Sequence, residues 1–288
     1  MKKRRKLLTV LSVTAIVIIV TFIYLALSGG KLHRQYKDDV QLSFNEAAGQ
    51  QQNTAFTDEA IAGLPLPMQK YLSHCGYVGK PIMDYMYLDC IEAKFAMSQD
   101  QSPIQIHYEQ YNFAARPDRH AFVDAKMFGM HIINGKDTLM NGGGSMTIRL
   151  AKLFEVGNSS GHEMSQSQLI TALADAVWMP SLYLQDYVTW TPIDETHAEC
   201  TITWGDLTAS GTFTFNEAGE IIQFDTNDRY QDNNGESINL PWTVEYGSYH
   251  DVDGFRRSGA VKIYWHMPDG SRFTYFECDN YTVSYSVN

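Results

Sequence analysis

The sequence predicts an α+β protein that is mostly β: an N-terminal transmembrane helix, then a large curved antiparallel sheet, a half-barrel, with a helix across its concave face. Three observations carry that reading. Strict period-two alternation recurs on both sides of one amphipathic stretch, the mark of half-buried strands in an antiparallel sheet. Short polar turns separate the alternating segments, so successive strands join as hairpins. Roughly ten such strands in one sheet curl, because strand twist accumulates.

The chain has 288 residues, enough for one large domain or two small ones. Lys2, Lys3, Arg4, Arg5 and Lys6 precede an uncharged stretch from Leu7 to Leu27. A bilayer core needs about 20 apolar residues as a helix, so this stretch can span, and the basic flank places the N-terminus in the cytoplasm. The rival reading is a cleaved signal peptide, for which Ala26-x-Ser28 resembles a cleavage site. The apolar run exceeds the roughly 7–15 residues usual for a signal, and the first cysteine, Cys75, is too distant for lipid attachment. The chain therefore divides into a basic flank and transmembrane helix (1–27), a tether (28–56) and an extracytoplasmic β-rich domain (57–288). The tether is polar and irregular, with Gln50, Gln51, Gln52 and Asn53 in a row.

Net charge is −11, and all five charges of the flank are basic. The exported part thus carries 17 Lys and Arg against 33 Asp and Glu, a net charge near −16. Such a surface repels nucleic acid and anionic headgroups, which leaves the membrane, through residues 7–27, as the expected partner. Four cysteines (Cys75, Cys90, Cys200, Cys278) permit disulfides, with three pairings if all are joined. They equally suit small buried hydrophobes: Cys200 alternates with Ile202 and Trp204 on an apolar face.

Pro67 fits a first helical turn, with Met68, Tyr71 and Leu72 at helical spacing before Gly76. Candidate strands then run over Tyr85–Met97, Ile104–Ala114, His120–Phe128, His131–Leu139 and Met146–Phe154, with turns at Gln99–Pro103, Arg116–Asp118 and Gly142–Gly144. The organising stretch is Ser165 to Leu184. Ser165 and Gln168 have capping-box spacing, Leu169, Ile170, Leu173 and Val177 form an apolar stripe with Gln168, Thr171 and Asp175 largely off it, and Pro180 stops the helix near Trp178. Alternation resumes at Cys200–Trp204, Phe213–Phe215, Trp242–Tyr246, Val261–Trp265, Phe273–Tyr275 and Tyr281–Val287.

The segments Leu64-Pro65-Leu66-Pro67-Met68-Gln69-Lys70-Tyr71-Leu72 and Ala174-Asp175-Ala176-Val177-Trp178-Met179-Pro180-Ser181 stand in a recognisable order with Phe213-Thr214-Phe215, Asp228-Arg229-Tyr230 and Pro241-Trp242. On these motifs the chain resembles a family of bacterial membrane-anchored proteins of unknown function, across most of residues 64–287. Lys70 stands where an arginine is common and Asp175 where a glutamate is common. The resemblance implies a bacterial cytoplasmic membrane protein and brings no catalytic residue with it. In outline the predicted shape also resembles the envelope lipoprotein-carrier (LolA/LolB-like) half-barrels, a likeness of architecture alone.

Among the nine histidines no H-x-x-x-H or H-E-x-x-H occurs. His250-Asp251-Val252-Asp253-Gly254 reads first as a hairpin loop, and the oxygen-rich Asp225–Asp228 and Asp232–Glu236 segments do not match the twelve-residue calcium loop. Neither G-x-S-x-G nor S-x-x-K is present, and Gly143-Gly144-Ser145 reads as a turn. Asp228-Arg229 beside Tyr230 reads as a structural ion pair with an aromatic anchor, and Asp175 as a partner for an arginine across the sheet. No catalytic residue, metal or cofactor is expected. The expected function is a membrane-anchored binding domain for an apolar ligand, a lipid or lipoprotein acyl chain. Leu173, Val177, Trp178, Trp204, Phe213, Phe215, Trp242 and Trp265 are the candidate lining, although the same residues would fill a packed core. A protein–protein module in envelope assembly is the alternative, and a hydrolase using Asp, His and Arg a further one.

Overall fold

A computed structural model describes residues 2–27, 30–50, 55–127, 129–233 and 235–287. The cleavage-like position Ser28, the run Gln51–Asn53, Phe128 and Asn234 lie outside the described residues. Helix α1 (Lys2–Ala26) is long and apolar enough to cross a membrane, properties a signal sequence shares. Helix α2 (Lys31–Ala47) corrects the expectation of an irregular tether. Its Leu32, Tyr36 and Val40 recur every fourth residue and bury against Phe122, while Lys31, Arg34, Lys37 and Asp38 are exposed and Asp39 pairs with Lys136. Two short helices follow, α3 (Asp58–Ile61) and α4 (Leu66–His74), the second with Pro67 in its first turn.

Six strands then form a meander: β1 (Met83–Phe95), β2 (Ile104–Phe113), β3 (Arg119–Met127), β4 (Met130–Met140), β5 (Gly143–Leu150) and β6 (Phe154–Ser160). Helix α5 (His162–Asp175) and a 3₁₀ turn (Pro180–Leu184) lead to β7 (Val188–Pro192), β8 (His197–Trp204), β9 (Leu207–Phe215) and β10 (Ile221–Thr226). Small hairpins, β11 (Tyr230–Asn233) with β12 (Glu236–Asn239) and β14 (His250–Val252) with β15 (Phe255–Arg257), interrupt the remaining strands. These are β13 (Trp242–Gly247), β16 (Ala260–His266), β17 (Arg272–Cys278) and β18 (Tyr281–Val287).

One antiparallel sheet has the order β6-β5-β4-β3-β2-β1-β17-β16-β13-β10-β9-β8-β7, and β18 also pairs with β1. Helix α5 packs on β5 near one end of this order and on β9 near the other. A sheet whose two arms both reach one 14-residue helix is bent around it, which makes the half-barrel. Strand β1 forks: Tyr85–Cys90 pair with β18, whereas Lys94 and Phe95 pair with β17. The Cys90–Cys278 disulfide staples that fork, and Cys75 and Cys200 are free and buried.

Three local readings change. The capping box does not form, because the helix starts earlier, after Gly161; Ser165 Oγ instead donates to the Gly161 carbonyl (2.7 Å) and accepts the Gly144 amide (2.8 Å). Gly143–Ser145 open β5 rather than a turn, and a Cβ on Gly144 would stand 2.5 Å from Ser165 Cα, so only glycine lets α5 approach there. The expected strand Met146–Phe154 is broken, since Ala151 and Lys152 adopt φ of 51° and 61° and reverse the chain into β6.

Candidate functional site

A cavity of about 250 Å³ lies between α5 and the concave face of β1–β5, β16 and β17. Alternation decides which side chains reach it. On β2 the inward set is Ile104, Ile106, Tyr108 and Gln110, and on β4 it is Ile133, Gly135 and Asp137. Register places Gly135 beside Val123 and Ile148, and Asp137 beside Met146. The lining is thus graded along the strands, aliphatic at the Ile104–Ile133 end and polar at the Gln110–Asp137 end. Space survives because small residues, Ala96, Ala125 and Gly135, stand among the lining.

The polar end is organised by Arg119, at the start of β3. Its Nε donates to Asp175 (2.8 Å), Nη1 to Asp137 (2.9 Å) and Gln168 (3.0 Å), and Nη2 to the Tyr108 hydroxyl (2.7 Å) and Gln110 (3.3 Å). All five guanidinium hydrogens are therefore engaged. Gln110 also donates to Asp175 (2.7 Å), and Gln168 to Asp137. Burial alone would lower the Arg119 pKa, but Tyr108, Asp175 and Asp137 around it hold it above its ordinary value. Burial pushes the Tyr108 phenol up, so it stays a neutral hydrogen-bonding group. Such a cluster is poor in stabilisation but strict in geometry, since removing one partner strands the other charges in a dry site. The expected pairing of Asp175 with an arginine across the sheet is present.

Arg229 forms part of the roof. Its guanidinium carbon lies 4.3 Å from the Trp242 ring centre and 5.4 Å from that of Trp265, and it donates to Thr171 Oγ1 on α5. The expected Asp228–Arg229 ion pair is absent, because Asp228 instead accepts from the Ser210 amide (2.8 Å) and hydroxyl (3.2 Å). Asp232 on β11 accepts from Ser159 on β6 and draws that hairpin over the rim. Among the described residues no three His, Cys, Asp or Glu side chains gather as a metal site would require.

On the convex face, Ser43 of α2, His120 and Asp118 have the residue types of a hydrolytic triad. Ser43 Oγ lies 2.8 Å from His120 Nε2 and 3.0 Å from Asp118. The carboxylate bonds the serine rather than the imidazole, and His120 Nδ1 has no partner. Burial, with Lys136 and Arg119 nearby, lowers the His120 pKa to about 3, so it does not accept a proton at neutral pH. All three are closed to solvent, and their role is to clasp α2 onto the sheet.

A signature described as a family of unknown function (DUF6544) matches residues 54–278. The chain belongs to that family. Two of the motifs that carried the resemblance, Leu64–Leu72 and Ala174–Ser181, meet at the C-terminal end of α5. Tyr71 donates to the Val177 carbonyl (2.9 Å), Tyr246 to that of Ala174 (2.8 Å), and Trp178 Nε1 to the Tyr281 hydroxyl (2.9 Å). The two tyrosines satisfy carbonyls that the end of a helix leaves open, and with the Trp178–Tyr281 bond they latch the helix of this DUF6544 chain into the barrel. No curated protein matches the chain. Solved structures give distant likenesses. A DUF1329 family protein from Desulfovibrio piger has 11% identity and a TM-score of 0.41, covering 78% of this chain and 95% of its own. A putative outer membrane lipoprotein-sorting protein domain from Vibrio parahaemolyticus has 8% identity and a TM-score of 0.38, covering 70% and 86%. A LolA superfamily protein from Nitrosomonas europaea has 11% identity and a TM-score of 0.36, covering 76% and 91%.

The eight candidate residues separate. Trp178 and Trp265 line the cavity. Leu173, Val177, Phe213, Phe215 and Trp242 are buried in the packed core, and Trp204 meets Tyr187 edge to face at the end of β8. The residues that shape the cavity's polar end, Arg119, Gln110 and Asp137, were not singled out from sequence. A signal for them existed: each occupies the inward parity of a strand whose other inward residues are apolar, as Arg119 does before Ala121, Val123 and Ala125.

Proposed function

We propose that this protein is an extracytoplasmic binding domain, held at the bacterial cytoplasmic membrane by α1, that takes an apolar chain of a lipid or lipid-modified protein into its cavity. The observation that carries the reading is the graded cavity itself, aliphatic at one end and closed at the other by the Arg119 cluster. Its 250 Å³ would accommodate about eight heavy atoms at the roughly 30 Å³ each takes in a liquid, which fits part of an acyl chain. At the polar end Tyr108 donates to Gln110, and Gln110 to Asn112 and Asp175, so this end bounds the apolar chain rather than holding a polar group of the ligand. The fully engaged Arg119 supports a binding role over a catalytic one, because none of its hydrogens is free to act on a substrate.

Native mass spectrometry of the full chain released from detergent, with identification of anything retained, tests the reading. The expected result is one lipid per chain, lost in Ala125→Phe, which fills the cavity from β3. An apo mass for the wild type, or retention unchanged by Ala125→Phe, removes the reading.

A further inference from the structure

We infer that the tip of the β5–β6 hairpin enters the outer leaflet of the bilayer spanned by α1, so that the aliphatic end of the cavity is fed from lipid. The inference rests on the anchored reading above and adds the source of the ligand.

The first observation is the surface of the tip. Leu150, Leu153, Phe154 and Val156 are 41%, 63%, 65% and 57% exposed around a single turn. Other large exposed apolar side chains of the domain, such as Ile91 and Ile193, are scattered, and scattered ones are ordinary. Four together on one edge hairpin mark a surface that meets something apolar.

The second observation says what it meets. Lys152, at the apex, donates through Nζ to the carbonyls of Tyr24 (3.0 Å) and Leu27, and its ammonium lies 5.5 Å from the Tyr24 ring centre. These are the last turn of the apolar helix, where a spanning segment leaves hydrocarbon and where tyrosine concentrates at the interface. The lysine satisfies the open carbonyls of the helix end and fixes the hairpin there. Leu153 and Phe154 are the next two residues of the chain and so lie at the depth of the lipid glycerol region.

The third observation links the tip to the cavity. Along β5, Met146, Ile148 and Leu150 share one face, paired with Asp137, Gly135 and Ile133 of β4. The first two line the cavity, and Leu150, next in the row, pairs with Phe154 at the tip. An unbroken apolar row thus runs from the membrane level into the site. The exported part's negative charge opposes adhesion to anionic headgroups, so the contact is apolar insertion beside the anchor rather than electrostatic docking.

The test uses the full chain carrying Phe154→Cys labelled with an environment-sensitive fluorophore, in phosphatidylcholine vesicles containing a lipid spin-labelled in its acyl chain. Labelling is selective because Cys75 and Cys200 are buried and the other two cysteines are joined. Ile193→Cys, on the far edge, is the reference, and Leu153→Cys replaces Phe154→Cys if that variant fails to fold. The expected result is quenching at 154 several-fold above that at 193. Equal quenching at both sites, in vesicles that retain the protein through alkaline washing, overturns the inference and leaves the anchor intact. Release of the protein by that wash overturns the anchored reading and the inference with it.

Discussion

The two arms of the sheet follow the same alternation and reach opposite outcomes. In the β7–β10 arm the inward positions carry Phe213 and Phe224, with ring centres 4.5 Å apart, and Tyr183 and Trp190 lie within 5.6 Å of Phe213. That arm is solid. In the β1–β6 arm the corresponding face carries Ala125, Gly135 and Val123, and a cavity remains. What the contrast teaches is that strand parity says which residues face inward, while side-chain volume decides whether the interior is core or site. The hollow arm is braced on both sides, by α5 within and by α2 on its convex face.

Substitutions that exchange the characters of the arms sharpen this. The largest effect is expected from Phe213→Ala, which opens a void in the solid arm and should cost about 3–5 kcal/mol in a denaturant titration while leaving lipid retention of the folded fraction unchanged. An intermediate effect concerns the brace. His120 has its pKa lowered from 6.5 to about 3 by burial, so the unfolded chain takes up a proton that the folded chain refuses. The stability it supports is full above pH 6.5 and is lost as pH falls towards 3, with a slope of about 1.4 kcal/mol per pH unit. Asp118, whose pKa burial raises, adds a smaller opposing drift at the acid end of that window. His120→Gln should flatten the slope, measured as the denaturation midpoint between neutral and mildly acidic pH. The smallest stability effect is expected from Ala125→Phe in the hollow arm, a change of less than about 1 kcal/mol, where overpacking a filled core costs about 1–3.

Most of the sheet was legible because each strand buries one face, and the expected segments at Trp242–Tyr246 and Val261–Trp265 sit within β13 and β16. Helix α2 was missed although Leu32, Tyr36 and Val40 already showed its stripe: three apolar residues among Lys31, Arg34, Lys37, Asp38 and Asp39 are too few to mark a helix until Phe122 is there to cover them. The site was hidden for a different reason. Large aromatics were chosen as lining, yet a cavity is made by what is small, and Ala125 or Gly135 gives no hint of emptiness unless the opposite wall is known. Arg119, Asp137 and Asp175 come from β3, β4 and α5, and only the closed barrel brings them together.

The fork in β1 has a consequence for how the molecule is made. Cys90 lies 188 residues before Cys278, and β1 takes its second set of partners from β17 and β18, late in the chain. During synthesis from the N-terminus the first meander therefore presents one long unpaired border until the last strands arrive. Loop closure over that distance is slow, and an open strand edge invites pairing with neighbouring chains. Oxidation of the Cys90–Cys278 pair can occur only after that last stretch has arrived, so the disulfide acts as a time stamp, recording that synthesis and closure are complete.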